Sequence, residues 1–240
     1  MKTAFITGAN KGIGVETARQ LAALGYHVFI GSRNRANGDE AIATLKSMGF
    51  ENADLIEIDV TDSNSIQSAR QTLGSRIAVL DVLVNNAGIR GEVPQPATKV
   101  PMATLRKVFE TNFFGAVQTT QAFIDLMRKS EQPRIVNVTS DLSSLTDHSD
   151  PAWKYYPFKS AAYGPSKTAL NAYTVMLAFE LKDTKFKVNC VNPGHTATDF
   201  NNQRGEQTVE QGARVIVEFA TLGAEGPSGK FLGKDGVIAW

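Results

Sequence analysis

Thr3-Ala-Phe-Ile-Thr-Gly-Ala-Asn-Lys-Gly-Ile-Gly14 runs from a short apolar strand through a glycine-rich turn into an amphipathic helical pattern. Gly8 permits a tight exit from the strand, Gly12 lets a diphosphate approach the backbone, and Gly14 permits close packing of helix on sheet. Free amides at the start of such a helix favour phosphate charge. The spacing is G-x3-G-x-G, not the commoner G-x-G-x-x-G, so a ligand-free strand-to-helix turn also accounts for it.

The rest of the chain keeps the same rhythm. Strand patterns are expected at Thr3–Thr7, Val28–Ser32, Ala53–Ile58, Val82–Asn85, Arg134–Thr139 and Lys187–Val191, with a seventh near Lys230–Leu232. Helical patterns fall at Gly14–Leu24, Gly38–Met48, Ser63–Leu73, Met102–Met127 and Ser166–Lys182. This alternation predicts an α/β fold with a mainly parallel sheet and helices on both faces. At 240 residues, one domain spanning 1–240 is the expectation.

Three segments interrupt the rhythm, and each follows a strand. Ile89–Pro101 holds three prolines; Asp141–Ala162 is long enough for a functional wall or a small helix of its own; Gly194–Thr208 is polar and glycine-punctuated. Ligands of open parallel sheets bind beyond the carboxyl ends of the strands, so all three loops are expected on the ligand edge, with 194–209 as a mobile substrate loop.

Composition narrows the function. A formal net charge of +1 argues against a dedicated nucleic-acid surface. No stretch approaches a membrane span or the core of a signal peptide, and the single cysteine, Cys190, fits a reducing cytoplasm. Cys190 lies in an apolar run and reads as a buried, inert thiol. His195 is one of three histidines and has no second ligand at metal spacing, so no metal site is assigned.

Which dinucleotide the turn would hold depends on the end of the second strand. NAD binders place a carboxylate there for the ribose 2′-hydroxyl, whereas this chain reads Gly31-Ser-Arg-Asn34. Arg33 suits charge-assisted bonds to a 2′-phosphate, with Lys11 and Asn10 in support; taken without the turn, it is simply a solvated arginine. The expected ligand is NADP(H).

Hydride chemistry at a carbonyl needs a proton donor. Tyr163 and Lys167 stand four apart, on one helix face if the helix begins near Tyr163, where Pro165 costs little. An ammonium beside a phenol favours the phenolate. A second Tyr-x3-Lys pair, Tyr155–Lys159, has Pro157 inside it and is the weaker candidate. Ser140 ends a strand, where its hydroxyl either bonds a substrate oxygen or caps a helix. Asn112 sits inside a helical pattern that suits asparagine poorly, which points to a kink or a proton relay. Trp153, Tyr155, Tyr156, Phe158, His195 and Phe200 read as an aromatic pocket wall, or as packing that holds the loops down.

Taken together and in order, Thr7-Gly8-x3-Gly12-Ile13-Gly14, Asn85-Asn86-Ala87-Gly88, Asn112, Ser140, Tyr163-x3-Lys167 and Pro193-Gly194 with Thr198 resemble the short-chain dehydrogenases/reductases. Gly8 to Gly14, Thr111-Asn-Phe-Phe-Gly115 and the tail from Glu225 to Trp240 are most similar to the NADPH-dependent carbonyl reductases. The resemblance implies a seven-stranded Rossmann-type sheet and reduction of a ketone, aldehyde or quinone. Tyr163 would be the acid, Lys167 would lower its pKa and bond the nicotinamide ribose, Ser140 would orient the carbonyl, and Asn112 would carry a proton relay. It also implies that Asp59 and Val60 meet the adenine, that Asn86 lines the cofactor cleft, and that Thr196 and Thr198 meet the carboxamide. Ala87, Gly88, Pro193 and Gly194 are cofactor-binding candidates on the same ground. Ser140 and Tyr163 are 23 positions apart, about ten more than the family's usual gap and far fewer than in the animal carbonyl reductases. That intermediate length leaves monomer and homo-oligomer both open. An NAD-linked alcohol dehydrogenase of the same family and a catalytically idle nucleotide sensor are the alternatives; the former lacks its acid at Arg33, and the latter would have shed Tyr163 or Lys167.

Overall fold

The computed structural model describes residues 1–240. Seven strands lie parallel: β1 Thr3–Ile6, β2 His27–Ser32, β3 Ala53–Glu57, β4 Val82–Asn85, β5 Arg134–Val138, β6 Lys187–Val191 and β7 Phe231–Gly233. An eighth, β8 Gly236–Val237, turns back antiparallel on β7, giving the order β3-β2-β1-β4-β5-β6-β7-β8. That two-residue strand was not expected from the sequence.

The strands are buried on both faces, and alternation divides their side chains between two cores. Ala4, Ile6, Val28, Ile30, Val82, Val84 and Val136 face one layer, with α1 Gly12–Ala23, α2 Arg35–Ser47 and α8 Val209–Ala220. Phe5, Phe29, Leu83, Ile135 and Val188 face the other, with α3 Ser63–Arg76, α5 Gly115–Met127 and α7 Tyr163–Glu180. Phe123 of α5 lies tilted against Phe5, ring centres 5.0 Å apart, and truncating either ring would cost about 3–5 kcal/mol.

Some elements depart from the sequence expectations. Helix α8 was not anticipated, although Thr208 and Gln211 form a reciprocal capping box at its start. The pattern from Met102 to Met127 is not one regular helix: α4 Met102–Phe109 and α5 are joined by a π-helical turn over Glu110–Phe114. The long loop after β5 does carry a small helix of its own, α6 Leu145–Ser149, behind a 3-10 turn at Asp141–Ser143. Helices α1, α2 and α7 each begin two or three residues before the expected start.

The strand order reverses between β1 and β4, which is where open sheets leave a crevice at their carboxyl edge. The turn after β1 and the loop after β4 meet there. Asn86 Nδ2 donates to the carbonyls of Thr7 and Gly8 at 2.9 and 3.0 Å, while Thr7 Oγ1 accepts the amides of Asn86 and Ala87, both at 3.1 Å.

Candidate active site

The glycine turn is shaped to receive a phosphate. Gly8 and Gly12 take φ of +62° and +56°, and a side chain on Gly8 would meet the Ala87 backbone at 2.8 Å. Above Gly12 the space is open: a Cβ there meets only Thr198, at 3.7 Å. Helix α1 starts at Gly12, and Lys11, at its cap position, supplies no capping side chain. The first-turn amides are therefore left for an outside acceptor. These residues fit the diphosphate of a dinucleotide.

Arg33 stands exposed just past β2 and makes no hydrogen bond or ion pair. Ser32 Oγ is turned back to the Asn34 carbonyl at 2.8 Å, so it is already engaged. Asp59 accepts from the amide and hydroxyl of Thr61 at 2.9 and 2.7 Å, and Val60 is buried against the backbone of Gly115. After β6, Thr196 Oγ1 bonds the Gly194 carbonyl at 3.1 Å and accepts from Gln207 Nε2 at 2.9 Å; Gln207 Nε2 also reaches the Pro193 carbonyl. Thr198 is the cap of a 3-10 turn at Asp199–Asn201, and a bridge between Thr196 and Gln207 closes the loop on itself.

Four residues, from the turn after β5, the π turn and α7, gather beside this cradle. Tyr163 is the first residue of α7, so Pro165 sits in the first turn and Lys167 follows one turn on. Asn112, buried in the π turn, accepts the Ile89 amide at 2.8 Å and donates to the Ile89 carbonyl at 2.9 Å and to Ser166 Oγ at 3.0 Å. It thus ties the loop after β4 to α7. A Cβ on Gly88 would lie 3.4 Å from both Asn112 Oδ1 and Lys167 Nζ, which places the two polar ends around that glycine. The widened turn is a common device for placing a functional side chain.

Ser140 caps the 3-10 turn, and Ser143 in that turn is held from α7 by Asn171 Nδ2 at 2.8 Å and by Thr168 Oγ1 on its carbonyl at 2.9 Å. These bonds pin the turn that Ser140 caps to the first half of α7. Tyr155–Lys159 is no rival pair: Lys159 Nζ donates to the His148 carbonyl at 2.8 Å and lies over the Tyr156 ring.

The electrostatics depart from expectation in one respect. Burial pushes the Tyr163 phenol up to about 12; the Ser140 hydroxyl favours its anion and Asp141 opposes it. Lys167 does not relieve the phenol, because its ammonium, brought down to about 8 by burial, donates to the Val138 carbonyl at 2.8 Å. Burial also pushes the Cys190 thiol up to about 12, in keeping with an inert side chain.

The aromatic residues form a run of touching rings: His148–Trp153, Trp153–Tyr155 and Tyr155–His195, with centres 5.0, 5.6 and 5.9 Å apart. Phe200 comes from the loop after β6 to lie 5.5 Å from the Tyr163 ring.

Two residues of the site escaped the sequence reading. Gln95, buried in the loop after β4, accepts the amides of Ala162 and Tyr163 at 3.2 and 3.1 Å, and donates to the Arg90 and Glu92 carbonyls at 2.8 and 2.9 Å. It caps α7 from a distant loop, and a glutamine between prolines carries no local signal of that. Asp141, directly after Ser140, accepts the serine hydroxyl at 3.0 Å.

Residues 2–209 match the sequence model of the short chain dehydrogenase family. The chain belongs to that family. Among relatives of this short chain dehydrogenase, (+)-neomenthol dehydrogenase of Capsicum annuum is 32% identical over 298 residues, covering 95% of this chain and 94% of its own. Salutaridine reductase from Papaver somniferum superposes with a TM-score of 0.85 at 29% identity, over 96% of this chain and 99% of the other. An NADPH-bound carbonyl reductase from chicken fatty liver superposes with a TM-score of 0.86 at 25% identity, over 100% and 99%. The protein is thus an oxidoreductase on a Rossmann-type sheet, and none of its helices is long and apolar enough to cross a membrane.

Proposed function

We propose that this short chain dehydrogenase reduces a ketone, aldehyde or quinone of an apolar small molecule with NADPH. The observation that carries the reading is the gathering of Tyr163, Ser140, Lys167 and Asn112 next to an uncapped glycine turn. The chicken carbonyl reductase, which is similar over its full length, binds NADPH, and this supports the choice of cofactor.

When bound, the nicotinamide supplies the hydride. Gly8, Asn10, Gly12, Ile13 and Gly14 hold the diphosphate on the α1 amides. Arg33, unpaired at the end of β2, and Lys11 meet the 2′-phosphate by charge-assisted bonds. Asp59 and Val60 bound the adenine, Asn86, Ala87 and Gly88 line the floor, and Pro193, Gly194, Thr196 and Thr198 hold the carboxamide end. Residues 194–209 act as the mobile substrate loop, with Phe200 over the reacting centre.

Ser140 orients the carbonyl oxygen, and Tyr163 gives it a proton as negative charge develops there. Lys167 would hold the cofactor ribose when it is bound, and its ammonium, freed from the Val138 carbonyl and set beside the phenol, would bring that group down from about 12. Asn112 would anchor a water-linked proton relay from solvent rather than exchange a proton itself. Trp153, Tyr155 and His195 exclude water from one side.

Initial rates at the nicotinamide absorbance band, with NADPH and NADH against a ketone panel, test the proposal. Turnover with NADPH and ketones is the expected result. A clear NADH preference overturns the cofactor assignment, and no turnover in either direction overturns the reductase.

A further inference from the structure

We propose that Asp141 is a positioning residue that sets the donor state of Ser140: its carboxylate retains the serine hydroxyl, and its neutral carboxyl releases that hydroxyl to the substrate carbonyl. The inference rests on the carbonyl-reducing reading above.

Three contacts carry it. Ser140 Oγ donates to Asp141 Oδ1 at 3.0 Å; the same carboxyl oxygen accepts the Leu142 amide at 3.0 Å; and Ser140 Oγ accepts that amide at 3.2 Å. A serine has one proton to give, and here it points at a carboxylate. A charged acceptor holds such a proton about twice as strongly as a neutral one. A ketone oxygen therefore competes poorly while Asp141 is ionised and well once it is neutral.

The surroundings make that change accessible. Asp141 is part-buried, and burial raises its carboxyl above the usual carboxylate range, against the Ser140 hydroxyl, the Leu142 amide and the charge of His195, with Asp147 adding to the rise. Besides these, Tyr163 at the start of α7 and Tyr155 in the loop before it feel the Asp141 charge. Lys154 and Glu206 pair with each other at the rim beyond Tyr155. An ionised Asp141 also opposes the Tyr163 phenolate, so loss of its charge helps both residues that act on the carbonyl oxygen.

Carbon-13 NMR of protein labelled at the aspartate carboxyl carbons follows the group directly, with Asp141 assigned from the signal lost in Asp141→Asn. We expect it to titrate above the exposed aspartates and to move higher still in Ser140→Ala, which removes a bond to the carboxylate. Titration alongside the exposed aspartates, or indifference to Ser140→Ala, overturns the proposal whether or not ketones are turned over. In kinetics with NADPH and a ketone, the parent kcat should fall roughly three- to ten-fold as pH rises through that titration. Asp141→Asn keeps an uncharged acceptor for the Leu142 amide and should hold the low-pH value throughout; a step that survives in it overturns the proposal. A parent inert toward every ketone, with the NMR coupling intact, overturns the reductase reading and leaves the Ser140–Asp141 coupling supported.

Discussion

Lys11 in the glycine turn and Asp199 in the loop after β6 form an ion pair of 3.3 Å that ties the turn after β1 to that loop. Their side chains are 68% and 67% exposed, so the pair contributes within about 1 kcal/mol to stability. Lys11→Ala should leave Tm within about 2 °C of the parent while raising the NADPH KM roughly three- to ten-fold. Asp199→Asn frees the lysine and should leave that KM unchanged or lower it. Thermal melts with initial rates check both; a large Tm loss in either variant would make the pair structural.

Arg33→Ala should raise the NADPH KM roughly ten- to a hundred-fold and leave the NADH KM within about two-fold, since only one cofactor carries the 2′-phosphate. An equal loss with both cofactors would mean that Arg33 does not read that group.

Tyr163→Phe keeps the ring beside Phe200 and removes the proton. Turnover should drop by about 10²- to 10⁴-fold while NADPH binding, followed by the fluorescence of the bound nicotinamide, persists. A variant that works near the parent rate would need another acid.

Gln95 satisfies two amides of the α7 start and two carbonyls of its own loop. Gln95→Ala should cost about 1–3 kcal/mol in urea unfolding. It should also lower kcat, because the backbone amide of Tyr163 loses its acceptor. Unchanged kinetics in a destabilised protein would limit Gln95 to a structural role.

Lys167 titrates near 8 when folded, against 10.5 for the free side chain. Between those values the unfolded chain holds a proton that the folded chain has released, so the Lys167 contribution rises with pH across that window and carries the full penalty below it. Cys190, raised from 9.0 to about 12, opposes that rise above pH 9, and Tyr163, raised from 10.0 to about 12, does so above pH 10. Urea unfolding from pH 7.5 to 9 should show the rise in the parent, and Lys167→Met should flatten it.

The sheet was legible because its central strands bury both faces and announce themselves as short apolar runs, and the paired positions of Tyr163 and Lys167 follow from helical spacing alone. What escaped had physical reasons. Helix α8 carries the Thr208–Gln211 cap and an apolar stripe of Ala213, Ile216, Val217 and Ala220, but the polar loop before it and Gly212 within it blur its start. Strand β8 is two exposed residues with no alternation to read. Gln95 and Asp141 act through partners that folding brings to them: distant amides for the first, and for the second a serine whose own placement depends on α7. The phenol of Tyr163 answered to burial rather than to its neighbour in the motif, and spacing does not report burial.

The π turn at Glu110–Phe114 gives this region a sensitivity to chain length that its composition does not show. Each residue of an α-helix advances the rotation by about 100°. Excising any one residue there would restore a regular helix, yet swing Phe123 of α5 off the Phe5 face or Val108 of α4 out of its burial. Asn112 would turn away from Ile89 and Ser166 in the same stroke. Here a lost codon would shift every contact downstream at once, whereas a substitution would touch only its own.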